Sequence, residues 1–313
     1  MMLRAPTRTR ISLRLSSAEL SPKYAKLPCD GVALLSAESS ARALGIHPRK
    51  LLANGGEEKY LDLFSRNIVR VARDFAPRPV VYRTLDMNLK ECAALEGGAE
   101  YEESEENPTR GLCGCSRYLA DEASFRLDLR AVKRARDMGC VNVDVMLPFA
   151  RCADELARCR EIVIEEGLFA SAEFELWMMA AVPATELPIE EFLPLVFGVS
   201  IDPEYLGQLV PGVNGGVGRR PDPSDECHPT VLAAMTLIAR ACREHGVACS
   251  ICGNAPILHP RPQPEGRPHM IRALLEAGVT GWNVAPDMYD EAVEAIANAE
   301  SALGISPERE VAK

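Results

Sequence analysis

Eight short apolar runs, separated for the most part by helix-patterned stretches, constrain this chain more than any other feature. They are Arg10–Leu15, Val32–Leu35, Val80–Arg83, Val141–Leu147, Glu173–Met179, Gly198–Ile201, Ala248–Cys252 and Gly281–Val284. Near-continuous apolar runs of this length are the pattern of strands buried on both faces, as in parallel sheets covered by helices. Between them, Glu57–Phe75 places Leu61, Phe64, Ile68 and Val71 three and four residues apart, which predicts an amphipathic helix. Cys152–Glu166 repeats that pattern, and so does Pro229–His245, where Val231, Met235, Ile238 and Cys242 share one face. Met288–Leu303 predicts a closing helix with Gly304 as its stop. Strand and helix alternating eight times predicts an α/β fold, a (β/α)8 TIM barrel, in one domain spanning 1–313 with residues 1–9 as a flexible basic tail. The alternative from pattern alone is an open doubly wound sheet. It is weakened because no Gly-x-Gly-x-x-Gly follows a strand, and no Walker-type loop is present. The glycine-rich Gly212–Gly218 reads as a flexible loop at the barrel mouth, and the acidic run Glu100–Glu106 as a solvated loop.

Composition narrows the partners. A net charge of −10 offers no basic groove for nucleic acid. The longest apolar stretch, around Leu176 to Val182, is too short to span a bilayer, so no membrane partner is expected. Met1–Arg14 carries four arginines and no acid, and reads as a basic tail leading into the first strand rather than as a transit peptide. Of the 11 cysteines, Cys249 and Cys252 make the one Cys-x-x-Cys pair. Three residues apart on a strand, they point to opposite faces, which speaks against a redox couple. No second such pair completes a zinc site. A chain of this size needs no disulfide staples, so a reducing cytoplasm is the expected compartment.

In a barrel, chemistry collects at the C-terminal ends of the strands. That rule selects Ser36, Arg83 with Asp86, Pro148, Ala180 and Ala181, Asp202 to Tyr205, Cys252 with Gly253, and Asn283 with Pro286. Arg83 is read either as an ion-paired structural group beside Asp86 or as an anchor for a carboxylate. Cys252, at a strand tip, is suited to acid–base or nucleophilic work if a cation tunes its thiol, with Arg83 and Arg117 as the available cations. His228 and His259 each precede a proline and are read as structural.

At these positions the chain resembles a known family. Val80-Val81-Tyr82-Arg83-Thr84-Leu85-Asp86 is similar to the Arg-Thr-x-Asp strand of the phosphoenolpyruvate-utilising enzymes. Gly45-Ile46-His47-Pro48-Arg49, Asn107-Pro108, Gly114-Cys115-Ser116-Arg117-Tyr118, Val145-Met146-Leu147-Pro148-Phe149, Leu176-Trp177-Met178-Met179 and Ser250-Ile251-Cys252-Gly253 fit in the same order. Together they resemble the C-terminal phosphoenolpyruvate/pyruvate-binding barrel shared by phosphoenolpyruvate synthase, pyruvate phosphate dikinase and phosphotransferase-system enzyme I. The resemblance implies a TIM barrel that often dimerises, and phosphoryl transfer between a phosphohistidine and pyruvate. It also implies Mg2+ held by a Glu and an Asp, arginines clamping carboxylate and phosphate, and a cysteine exchanging a proton with the methylene carbon.

Against that pattern the chain departs at four positions. Ala181 stands where the metal-binding Glu is expected. Tyr205 takes the place of the metal-binding Asp, with Glu204 at the neighbouring Asn position. Ser36 and Cys113 replace two arginines. Each replaced arginine removes a charge-assisted contact of about 1.5–3 kcal/mol, which points to a less anionic substrate. Residues 1–313 are not expected to include the family's ATP-grasp domain or its phosphohistidine domain.

The resulting expectation is a divergent barrel enzyme acting on a small pyruvate- or phosphoenolpyruvate-like oxyacid by lyase, isomerase or transferase chemistry. Arg83 would anchor the carboxylate, Cys252 would act as acid/base or nucleophile, and the Tyr205 hydroxyl would bond a substrate carbonyl. Asp86, Arg117, Ser36, Cys113 and Gly253 would line the site. No cofactor is assigned; Mg2+ stays open although Ala181 and Tyr205 replace the family ligands, with Asp202 and Glu204, together with Asp86 or Glu38, as the candidates for a rebuilt metal site. A homodimer is expected. Two alternatives stand: a non-catalytic binding or regulatory barrel working with a partner protein, and a split synthase subunit whose partner supplies the phosphohistidine.

Overall fold

A computed structural model describes residues 7–102, 112–186, 188–212, 226, 228–254 and 270–307. Asn107-Pro108, Gly111, the glycines from 213 to 218 and His259 lie outside the described residues. The strands are β1 Arg10–Leu15, β2 Val32–Ser36, β3 Val80–Arg83, β4 Val143–Leu147, β5 Leu176–Ala180, β6 Gly198–Ile201, β7 Ala248–Cys252 and β8 Gly281–Val284. They close into a parallel barrel in chain order, β1 beside β8, as the strand–helix alternation predicts. No helix among the described residues is long and apolar enough to cross a membrane.

Two strands begin later than expected, and in each a side chain takes a backbone group just ahead of the strand. Val141 is 52% exposed, and its carbonyl accepts from Arg136 Nη1 at 2.8 Å. The Asn142 side-chain amide donates to the Ala72 and Arg78 carbonyls, its own carbonyl accepts the Val80 N–H at 2.8 Å, and β4 starts at Val143. Ahead of β5, Ser171 bonds the backbone of Glu173 and Phe174 into a turn. The Glu175 N–H then goes to Asp144 Oδ1 at 2.9 Å. The strand therefore runs Leu176–Ala180 rather than Glu173–Met179.

The chain forms two compact units. One comprises Leu15–Lys26 and Val32–Met178. Its helix Glu57–Phe75 buries Leu61, Phe64, Ile68 and Val71, the face its sequence pattern marks, and packs on the helix Glu122–Asp137. From the second helix Asp128 enters the core. It accepts from Tyr60 Oη at 3.2 Å, Tyr82 Oη at 2.5 Å and the Leu85 N–H at 2.9 Å. A buried carboxylate thereby fixes the chain two residues past the end of β3.

The other unit comprises Met1–Arg14, Leu27–Gly31 and Met179–Lys313. Here the helix Pro229–Glu244 packs on Met270–Ala277. Thr7 and Thr9, which fall in the expected tail, are buried, and Glu300 accepts from the Arg8 and Thr9 N–H groups at 3.0 and 2.7 Å. The described part of the tail is therefore anchored, because an inward-facing carboxylate needs those donors. Cys249 is buried and hydrogen-bonded to Cys242 of the Pro229–Glu244 helix, which together with burial pushes its thiol well above the ordinary range. Cys249 thus serves the strand–helix packing.

Candidate active site

In the first unit, the ends of β2, β3 and β4 stand in register: Ser36 beside Arg83, and Arg83 beside Met146. Arg83 is 14% exposed at its side chain. Its Nη2 donates to Glu38 Oε1 at 3.1 Å, and the same oxygen accepts the Asp86 N–H at 3.0 Å. The ion pair seen for Arg83 is thus with Glu38, two residues beyond Ser36. It sets the guanidinium and the loop carrying Asp86 together.

Arg117 sits in the helix Gly114–Ala120. Its Nη1 and Nη2 grip Glu102 at 2.6 and 3.1 Å, and its Nε donates to the Leu112 carbonyl at 3.2 Å. Glu102 Oε1 also lies 3.0 Å from His47 Nε2. His47 Nδ1 accepts the Arg49 N–H, which leaves the ring proton on Nε2 to donate to Glu102. Burial works to raise the Glu102 pKa, but the bonds from His47 and Arg117 outweigh it and hold the carboxyl below its ordinary value. Each Arg117 nitrogen already has an acceptor, so the residue expected to bind substrate works first as a buried brace. Glu102, expected in a solvated loop, is its buried partner, because a bidentate arginine offsets the cost of burying a carboxylate.

Among the described residues, His47, Cys92 and Glu102 form the group of ligand-type side chains close enough to hold an ion. Burial pushes the Cys92 thiol up to about 12, against the opposing charge of Arg117. With Glu102 gripped by a guanidinium and the thiol protonated, this trio fits a hydrogen-bonded support better than a metal centre.

Cys113 caps the start of the same helix and is buried. Arg151, four residues past the end of β4, lays Nη2 against Cys113 Sγ at 3.2 Å and Nη1 against the Cys113 carbonyl at 3.2 Å. Burial and then the charge of Asp86 raise the Cys113 thiol, with Arg151 opposing. The segment fits because Gly114, at φ +51°, is in the left-handed region. A Cβ there would stand 2.3 Å from the Pro148 carbonyl oxygen. Phe149, at φ 51°, holds the rarer left-handed backbone for a side-chain-bearing residue.

In the second unit, Cys252 ends β7 and is 1% exposed. Its position is fixed from β8: the Gly253 N–H donates to the Asn283 carbonyl at 3.1 Å, Trp282 Nε1 donates to the Gly253 carbonyl at 3.3 Å, and the Ala285 N–H donates to Asn254 Oδ1 at 2.9 Å. Gly253 has no positive φ. A Cβ there would make ordinary contacts with Pro203 at 3.5 Å and Glu226 Oε2 at 3.6 Å, which places an acidic side chain close to the strand tip. Asn283, expected among the tip residues, lies within β8 and donates to Ser250 Oγ at 3.1 Å and Ser200 Oγ at 3.3 Å.

Asp202 caps the helix Pro203–Leu209, its Oδ1 accepting the N–H groups of Glu204 and Tyr205 at 3.0 and 3.2 Å. Glu204 is exposed and Tyr205 half-buried, while Ala181 is fully buried. As a set these donors do not fit Mg2+: Ala181 offers no side-chain oxygen, a phenol is a poor hard-cation ligand, and one Asp202 oxygen already serves the helix end. Glu38, expected from sequence as a candidate partner in a rebuilt metal site, is found paired with Arg83. Arg151 and Glu226 escaped sequence reasoning, their local signals being slight: Arg151 just after Pro148-Phe149, Glu226 at the entry to a proline-started helix.

The family described as PEP-utilising enzyme, PEP-binding domain, matches residues 6–301 of this chain. A probable phosphoenolpyruvate synthase of Staphylothermus marinus is 37% identical over 287 residues, covering 90% of this chain and 34% of that protein. The phosphoenolpyruvate synthase of Aeropyrum pernix is 35% identical over 288 residues, with 90% and 34% covered. That of Neisseria meningitidis is 30% identical over 321 residues, with 95% and 39% covered. The chain thus spans between 34% and 39% of the length of these relatives. A solved HpcH/Hpal aldolase/citrate lyase family protein from Burkholderia cenocepacia J2315 shares the fold at a TM-score of 0.51 and 14% identity, with 95% of each chain covered.

Proposed function

Because the chain belongs to the PEP-utilising enzymes, in their PEP-binding domain, we propose that it is a divergent member acting on a small oxyacid of the pyruvate or phosphoenolpyruvate kind. Arg83 anchors the substrate carboxylate, since a planar guanidinium matches two carboxylate oxygens. The observation that carries the reading is the position of Arg83 at the end of β3, mostly buried and held by Glu38. Cys252 exchanges the proton. Its thiol gives the Sγ hydrogen to the methylene carbon of a bound enolate, leaving a thiolate and a keto acid, and the reverse step takes that proton back. The Tyr205 hydroxyl donates to the substrate's carbonyl or enolate oxygen. Ser36, Asp86, Cys113 and Gly253 line the site, and Arg117 braces it through Glu102.

No step is routed through Mg2+, in keeping with the donors at Ala181, Asp202 and Tyr205. The same donor set favours a second reading, a non-catalytic barrel that binds an oxyacid or a partner protein. Under either reading the chain acts as a homodimer.

Calorimetry with pyruvate, oxaloacetate and phosphoenolpyruvate, each with and without Mg2+, tests the proposal. The expected result is oxyacid binding that does not depend on Mg2+. Phosphoenolpyruvate binding that requires Mg2+ would contradict the metal-free account, and the absence of all binding would favour a partner-directed barrel.

A further inference from the structure

Three successive backbone N–H groups past the end of β3 each find a different acceptor. The Thr84 N–H donates to the Met146 carbonyl at 3.1 Å, the Leu85 N–H to Asp128 Oδ2 at 2.9 Å, and the Asp86 N–H to Glu38 Oε1 at 3.0 Å. The last of these oxygens also holds the Arg83 guanidinium. The Leu85 carbonyl is taken as well, by Tyr118 Oη at 3.0 Å, and the same hydroxyl lies 2.8 Å from Thr84 Oγ1. The chain from Arg83 to Asp86 is therefore fixed group by group, and two of its three N–H acceptors are carboxylates.

Asp128 is 2% exposed. One backbone N–H needs only a neutral acceptor, and burying a charge to meet it is costly. What a carboxylate adds is capacity. Its two oxygens accept at once from Tyr60 in the helix Glu57–Phe75, from Tyr82 in β3 and from the Leu85 N–H beyond the strand. An asparagine in the same space has a single acceptor oxygen, so only the ionised carboxylate satisfies all three donors. The titratable groups facing it are Tyr60, Tyr82 and, from the helix Glu38–Leu44, Glu38. Burial, and after it the charge of Glu38, oppose the ionisation of Asp128. A charge kept in surroundings that disfavour it adds little to stability over a neutral, well-packed group, which directs attention to what it positions.

Resting on the reading of Arg83 as the carboxylate anchor, we infer that ionised Asp128 is a positioning residue, which holds the segment Arg83–Asp86 in the geometry that binds an oxyacid. It acts through its neighbours. Without the Asp128 charge the Leu85 N–H loses its acceptor, and the adjoining Asp86 N–H shifts on Glu38. That glutamate oxygen is the one that orients the Arg83 guanidinium, so the displacement reaches the anchor. A misplacement of about 1 Å is enough to spoil a bidentate contact.

The test is calorimetry of pyruvate binding to the full chain at about pH 7.5 and about pH 5.5, either side of the value of about 6 to which burial raises Asp128. The ionised form predominates at the higher pH and declines below about 6, so wild-type affinity should fall about threefold between the two. Asp128→Asn should bind about tenfold more weakly than the wild type at about pH 7.5 and show no such fall. Tyr82→Phe loosens the same buried cluster but leaves the Leu85 N–H on its carboxylate, and should stay within about twofold of the wild type at the higher pH. It separates positioning from general loosening, and the melting temperature of each variant reports its folding. A flat wild-type profile, undiminished binding by Asp128→Asn, or equal losses in the two variants overturns the inference and leaves the Arg83 reading standing. If Asp128→Asn does not fold, the wild-type profile decides. A wild-type chain that does not bind pyruvate, or a folded Arg83→Gln chain that binds it equally well, overturns both.

Discussion

At position 113 a charge absent from the side chain arrives from elsewhere in the fold. Cys113 counts as a lost cation in the sequence, and the Arg151 guanidinium reaches its sulfur at 3.2 Å. Arg83 and Cys252 were legible because each stands at the end of a readable strand. Arg151 and Glu226 were not, and Glu38 was legible only as a candidate metal carboxylate and not as the partner of Arg83, because these contacts come through the fold rather than through local sequence. Glu102 lies in an acidic run that by composition alone belongs in solvent, and only the approach of Arg117 and His47 makes it a brace with a buried carboxyl. Replacing Glu102 by Gln leaves Arg117 without its bidentate partner. Chemical denaturation should show a loss of about 2–3 kcal/mol, at the lower end for breaking a buried pair because Arg117 keeps some solvent contact. Since the Glu102 carboxyl is held below its ordinary value, its stabilisation is present above that value and is lost as pH falls through the lowered pKa. Cys252→Ala should slow exchange of the pyruvate methyl protons with deuterium, followed by NMR, at least about a hundredfold while leaving pyruvate affinity within about twofold. Unchanged exchange would remove the thiol from the mechanism.

At the scale of elements, the strand boundaries could be read wherever apolar pattern alone decides them, as at β3, β6, β7 and β8. They slip where a side chain takes a backbone donor or acceptor, as Arg136 does before β4 and Asp144 before β5. The connection from Cys113 to the end of β4 depends on Gly114. Gly114→Ala combines a positive φ with a clash against a carbonyl, and should cost about 2–4 kcal/mol in a denaturant titration. The buried carboxylates give the elements a pH signature opposite to that of Glu102. Burial raises Asp128 to about 6 and Asp144 to about 7. Each therefore binds its proton more tightly folded than unfolded, so stability falls as pH rises from the ordinary carboxyl range through those values. For Asp128 the shift corresponds to about 3 kcal/mol, fully felt above about pH 6. Asp128→Asn should flatten that slope in urea midpoints taken between about pH 4 and 7.5, and an unchanged slope would show that Asp128 is not its source.

The whole molecule is a closed parallel barrel of the PEP-binding kind, spanning 34–39% of the length of the three curated relatives described above. The barrel could be read from strand–helix alternation because that periodicity is local and repeated eight times. The chemistry of its mouth could be read only in part, because it depends on which side chains share a charge. Arg83 is the group on which the functional account turns, and its affinity contribution can be measured directly. Titration calorimetry of pyruvate into the full chain should show binding that Arg83→Gln weakens by about tenfold or more, with the melting temperature of the variant close to that of the wild type. Pyruvate bound equally well by a folded Arg83→Gln chain would contradict the assignment of Arg83 as the carboxylate anchor.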